Sequence, residues 1–256
     1  MTATSMIRGV AIALFACALS DACAGLSPDY AREDRIVAEI VPAIVVGDAV
    51  YLATPRRPRV LAIFTIPAKP IAGAVIIHGL GVHADWGLIN GLRTDLADAG
   101  VATLSVQMPV LAADAPRADY AALYSEAGER IAAGITFMKS QGIEGIAIVA
   151  HSLGAAMANA YLASQPSARV AAWIPIGMQD AFASQPEEPV LDIIGEDDWR
   201  EVLAAAAARS HGLPRDACSR QLTIAGGDHF MAGRRRPLSE AVVRFLDTVV
   251  AGGCGP

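Results

Sequence analysis

From residue 72 onward the chain alternates short apolar runs with helical patterns, and no other feature narrows its possible folds as much. Residues 72–77, 101–107, 143–150, 170–176, 190–194 and 221–225 have the length and near-continuous apolar character of strands covered on both faces. Between and after them, residues 88–99, 120–139, 155–163, 199–210 and 238–250 read as helices. A strand that gives way to a helix and then to another strand predicts an α/β chain: a mostly parallel twisted sheet with helices on both faces. Two further apolar runs, residues 40–46 and 60–66, are set off by Pro, Gly and Arg turns and predict two strands ahead of this series. With 256 residues, 54% of them apolar and 18% charged, the chain can bury one large core and is not a disordered segment.

Charge excludes one class of partner. Twenty basic against 26 acidic residues give a net charge of -6, and the run Arg234, Arg235, Arg236 is too short to form a nucleic-acid stripe. Mean hydropathy is +0.40, yet no stretch approaches the roughly 18 consecutive apolar residues of a membrane-spanning helix.

The first residues read as an address. Arg8, an apolar stretch over residues 9–19 and the small-x-small sequence Ala22-Cys23-Ala24 form the pattern of a cleaved export signal over residues 1–24. A single domain over residues 25–256 is then expected outside the reducing cytosol. Lipid anchoring is the competing expectation, because Cys17 and Cys23 each end an imperfect lipoprotein box. Cleavage at residue 24 leaves Cys218 and Cys254. Cys218 precedes the strand at 221–225, and the helix at 238–250 must run back antiparallel to bury its apolar face, which brings Cys254 to the same edge. A Cys218–Cys254 disulfide follows.

The chemistry centres on Ala150-His151-Ser152-Leu153-Gly154, a tight turn between an apolar strand and an alanine-rich helix. It resembles the nucleophile elbow, G-x-S-x-G, of the α/β-hydrolase superfamily, with Ala150 in place of the first glycine. Upstream, the strand ending at Ile77 runs into His78-Gly79-Leu80-Gly81, where the superfamily places its oxyanion loop. The resemblance implies that the backbone N–H groups of Leu80 and Leu153 converge on the developing oxyanion. His78 itself is expected to brace the loop. Downstream, Gly195-Glu196-Asp197-Asp198 resembles the superfamily's acid loop and puts Asp198 on its aspartate, with Asp197 as competitor and Asp192 inside the strand. Gly226-Gly227-Asp228-His229 is similar to the catalytic-histidine loop, with Asp228 expected to shape it. The order Ser152, Asp198, His229 is that of the superfamily's triad.

Residues 79–86, with Leu92, Arg93, Leu96 and residues 100–110, resemble a poorly characterised bacterial branch of the same superfamily found among exported proteins. The implied protein is a serine hydrolase acting on a small-molecule ester or acyl substrate without a cofactor. A catalytically silent scaffold that binds a ligand or envelope protein is the alternative. His83, Trp86, Met178 and Phe230 are candidates to line the substrate cleft. His78, His83 and Asp85 match no familiar metal-ligand spacing, so no metal site is expected. Residues 179–188 are too few to build a helical cap, so little or no lid is expected.

Overall fold

The computed structural model describes residues 26–165 and 169–255. Eight strands form one sheet: β1 (Asp48–Leu52), β2 (Val60–Thr65), β3 (Ala72–Ile77), β4 (Val101–Val106), β5 (Ile146–His151), β6 (Ala172–Ile176), β7 (Leu191–Asp197) and β8 (Arg220–Asp228). Their order is β1-β2-β4-β3-β5-β6-β7-β8. β2 lies antiparallel to both β1 and β4, and from β4 to β8 all neighbours are parallel.

The period-2 geometry of the central strands divides the core into two layers. From β3, Val75 and Ile77 join a cluster that includes Ile131, Ile135 and Met138 of α3 (Tyr124–Ser140) and Met157 of α4 (Leu153–Ser164). Ala72, Ala74 and Ile76 face the other way, into a cluster with Leu92 of α2 (Gly87–Asp98) and Phe245 of α6 (Arg235–Val250). Both faces are therefore covered, which is why these strands read as continuous apolar runs. α5 (Arg200–His211) packs Val202 and Ala206 against Ile194 of β7.

The first elements depart from expectation. Residues 40–46 do not form a strand: α1 (Tyr30–Ile40) runs into a short 3-10 turn, Val41–Ala43, and the edge strand is β1, farther along. Asp29 caps α1 by accepting a hydrogen bond from the Arg32 N–H at 2.8 Å. Glu33 is buried on this helix and receives a fork of two bonds, 2.9 and 3.0 Å, from Arg130 of α3. That distant ion pair, together with Pro42 in the turn and Gly47 at φ 83, overrides the β propensity of the apolar run.

Cys218 and Cys254 are bonded, with Cα atoms 5.1 Å apart. No helix among the described residues is long and apolar enough to cross a membrane. The export segment expected over residues 1–24 lies outside the described residues.

Candidate active site

The chemistry-bearing loops all leave the carboxyl ends of parallel strands, where open α/β sheets form their clefts. Ser152 follows β5, Asp198 follows β7 and His229 follows β8. Because Asp197 and Asp228 face each other across β7 and β8, the residues that follow them, Asp198 and His229, emerge side by side.

Ser152 has φ 55 and ψ -120, a conformation that a non-glycine residue adopts only under constraint. The constraint is the close approach of the strand and helix backbones. A Cβ on Gly154 would lie 2.4 Å from the His78 carbonyl oxygen, so glycine is required there. Ala150 is fully buried within the sheet and accommodates its methyl group.

The strained turn aims Ser152 Oγ at His229 Nε2, 2.9 Å away. On the far side of the ring, His229 Nδ1 lies 2.6 Å from Asp198 Oδ1. A carboxylate only accepts, so Nδ1 carries the proton and Nε2 is free to accept from the serine hydroxyl. Asp198 Oδ1 also accepts from the Trp199 N–H at 2.8 Å, and Oδ2 from the Gly195 N–H at 3.2 Å. Burial pushes the Asp198 carboxyl up, but the bonds from His229, Gly195 and Trp199 outweigh it and hold the group below the usual carboxylate range. Asp197 is exposed. Asp192 is buried in β7, where both its oxygens accept from Arg209 Nε at 3.0 and 2.9 Å, so it serves the core. Asp228 shapes its loop by accepting from the Phe230 and Ala232 N–H groups.

Around this array, neither the Leu80 nor the Leu153 N–H takes part in a backbone hydrogen bond among the described residues. Both residues border a cavity of about 150 Å³, which His83 also lines. His78 braces this loop: Nδ1 donates to the Gly79 carbonyl at 2.9 Å, and Nε2 accepts from the Met108 N–H at 2.9 Å. Burial lowers its pKa to about 4, so the ring is neutral. Trp86 and Phe230 meet edge to face at 5.5 Å beside His229, and Phe230 is substantially exposed. Met178 is a correction. It is fully buried in the core cluster that includes residues of α3 and α4, so it packs the interior and is not an accessible wall of the cleft. Asp85 is bound to the buried Arg93.

Two further residues complete the site. Trp199 stacks on the His229 ring with centroids 3.6 Å apart and planes 15° from parallel; an aromatic next to the acid loop was the available signal. His151, inside the elbow motif itself, donates from Nε2 to the His229 carbonyl at 2.8 Å and is held near pKa 4 by burial, hence neutral.

The sheet order, the elbow and the strand-end loops together define the α/β-hydrolase fold. Residues 66–129 match a protein family of unknown function, DUF3530, and no curated protein matches the chain. Among solved structures, Est1E from Butyrivibrio proteoclasticus is similar with a TM-score of 0.62 at 18% identity, covering 79% of this chain and 99% of that one. An alpha-beta serine hydrolase homologue from Coxiella burnetii has a TM-score of 0.63 at 18% identity, covering 78% and 98%. XC6422 from Xanthomonas campestris, described as an a/b serine hydrolase without lid, has a TM-score of 0.60 at 15% identity, covering 83% and 97%. Residues 177–190 of this chain, between β6 and β7, contain no helix.

Proposed function

We propose that this protein is a serine hydrolase acting on carboxylic esters. The observation that carries this reading is the unbroken chain of hydrogen bonds from Ser152 Oγ through the His229 ring to Asp198, 2.9 and 2.6 Å long, with the serine held on a strained turn. His229 Nε2 takes the hydroxyl proton as Oγ attacks the ester carbonyl, and Asp198 stabilises the resulting imidazolium. The N–H groups of Leu80 and Leu153 hold the oxyanion. His229 then passes the proton to the leaving alkoxide, and a water activated by the same ring releases the acyl group. The lack of a helix over residues 177–190 supports an open cleft and weak interfacial activation.

A fluorophosphonate probe tests the nucleophile without assuming a substrate. The wild type should label covalently and Ser152→Ala should not. A folded wild type that fails to label would point to the silent scaffold instead.

We also propose that the protein is exported. The Cys218–Cys254 bond supports this, since disulfides persist in oxidising compartments. Sequencing of the mature N-terminus should find Gly25 first; a chain retaining Met1, or a lipid on Cys17 or Cys23, would overturn the cleavage proposed here.

A further inference from the structure

The cavity beside Leu80 and Leu153 is closed by α1, the helix that sequence patterns missed. Arg32 and Ile36 of α1 form one wall, and the segment Met108, Pro109, Val110 forms another. α1 is fixed in place: the Asp29 N–H donates to the Val110 carbonyl at 2.7 Å, and Glu33 is clamped by the fully buried Arg130.

The charges on this helix are unevenly satisfied. Arg57 and Arg130, which pack against it, are each bound to carboxylates. Arg32, half-buried, forms no ion pair among the described residues; its one side-chain hydrogen bond runs from Nη1 to the Leu111 carbonyl at 2.6 Å. The residues lining the cavity include no aspartate or glutamate. Of its two histidines, His78 has both ring nitrogens engaged within the protein, and burial lowers the pKa of His83. The cavity lining thus carries one permanent positive charge and no carboxylate; Asp85 and Glu39 act on His83 from outside the lining.

We propose that this cavity is a carboxylate subsite, and that the protein prefers esters bearing an anionic carboxylate on a short chain. This inference rests on the hydrolase reading above and names the substrate class through the cavity that adjoins Ser152 by way of Leu80 and Leu153. Arg32 keeps donors free beyond its bond to Leu111, and a guanidinium matches a carboxylate in shape and charge. The volume of about 150 Å³ is that of a cavity that admits a benzene-sized group, which limits the chain to a few carbons. A neutral chain of equal length leaves the guanidinium desolvated and unpaired, so selectivity comes from both attraction and penalty.

The test compares kcat/KM for p-nitrophenyl hemisuccinate and hemiglutarate with that for the neutral butyrate and valerate. A second arm compares p-carboxyphenyl butyrate with phenyl butyrate, which separates a carboxylate on the acyl part from one on the alcohol part. In one of the two arms the anionic-to-neutral ratio should fall by about tenfold or more in Arg32→Gln and recover in part in Arg32→Lys. Ratios unchanged by Arg32→Gln in both arms overturn the proposal. In the wild type, glutarate should slow fluorophosphonate labelling, and no slowing would also overturn it, whatever the variants do. Labelling with unchanged ratios removes the carboxylate subsite alone; a wild type that neither labels nor turns over any ester removes the hydrolase reading and this inference together.

Discussion

Reduction of the Cys218–Cys254 bond should lower stability strongly and leave catalysis nearly unchanged. The bond closes a loop with a sequence separation of 36. In the chain-entropy model a loop of that length costs the unfolded state about 13 cal/mol/K, or about 4 kcal/mol at room temperature. For a domain of this size each kcal/mol moves the midpoint by about 2–4 °C, so the melting temperature should fall by roughly 8–15 °C, as an upper figure, because residual structure in the reduced unfolded chain takes part of the effect. The bond joins the start of β8 to the tail beyond α6, whereas His229 follows the opposite end of β8. Hydrolysis of p-nitrophenyl butyrate well below the transition should therefore change less than twofold. Thermal unfolding of the wild type with and without reductant, and of Cys254→Ser, measures the first quantity, and initial rates measure the second. A midpoint that moves by less than 2 °C would refute the loop-closure argument. A large loss of activity in the still-folded reduced protein would refute the separation of the bond from the site.

Asp198→Asn should lower kcat by about 10⁴, since an amide cannot hold the required tautomer or stabilise the imidazolium, while the exposed Asp197→Asn should stay within a few fold; steady-state kinetics that reverse this ranking would move the acid to Asp197. Glu33→Gln leaves the fully buried Arg130 with Glu126 as its one charged partner among the described residues, and should destabilise the protein by about 3 kcal/mol in urea unfolding; an effect below about 1 kcal/mol would show that α1 is not held by this pair. His78 is neutral in the fold, with its pKa lowered from 6.5 to about 4, so the unfolded chain binds a proton that the native one refuses and stability falls as pH drops through that window. His78→Gln should reduce this acid slope in urea titrations across pH 6.5 to 4, leaving the share contributed by the likewise neutral His151, and an identical slope in the variant would contradict the assignment.

The reach of sequence reading differs from element to element. Near-continuous apolar runs and helical spacing placed the strands from β3 to β8 and the helices from α2 to α6 to within a few residues, because each of these elements shows its apolar pattern along its own length. The same local logic put Ser152, Asp198 and His229 at strand ends, and paired Cys218 with Cys254 from the return direction of one helix. It failed at residues 40–46, where β-branched residues mimic a strand but α1 and its turn prevail. The deciding contact, Glu33 with Arg130, joins residues 97 apart. Met178, in the loop after β6, packs into the core instead of lining the cleft, and Trp199, at the start of α5, also lies flat on His229. Arg32 could not be told from any other helix arginine until α1 was laid across the cavity. Neighbouring residues carry the apolar runs and helical spacing, the tight turn at Ser152 and the order of the chemical groups. Tertiary structure alone decided which side chains share a buried space and which charges find partners there, because burial and electrostatic pairing depend on distances between elements that no local pattern encodes.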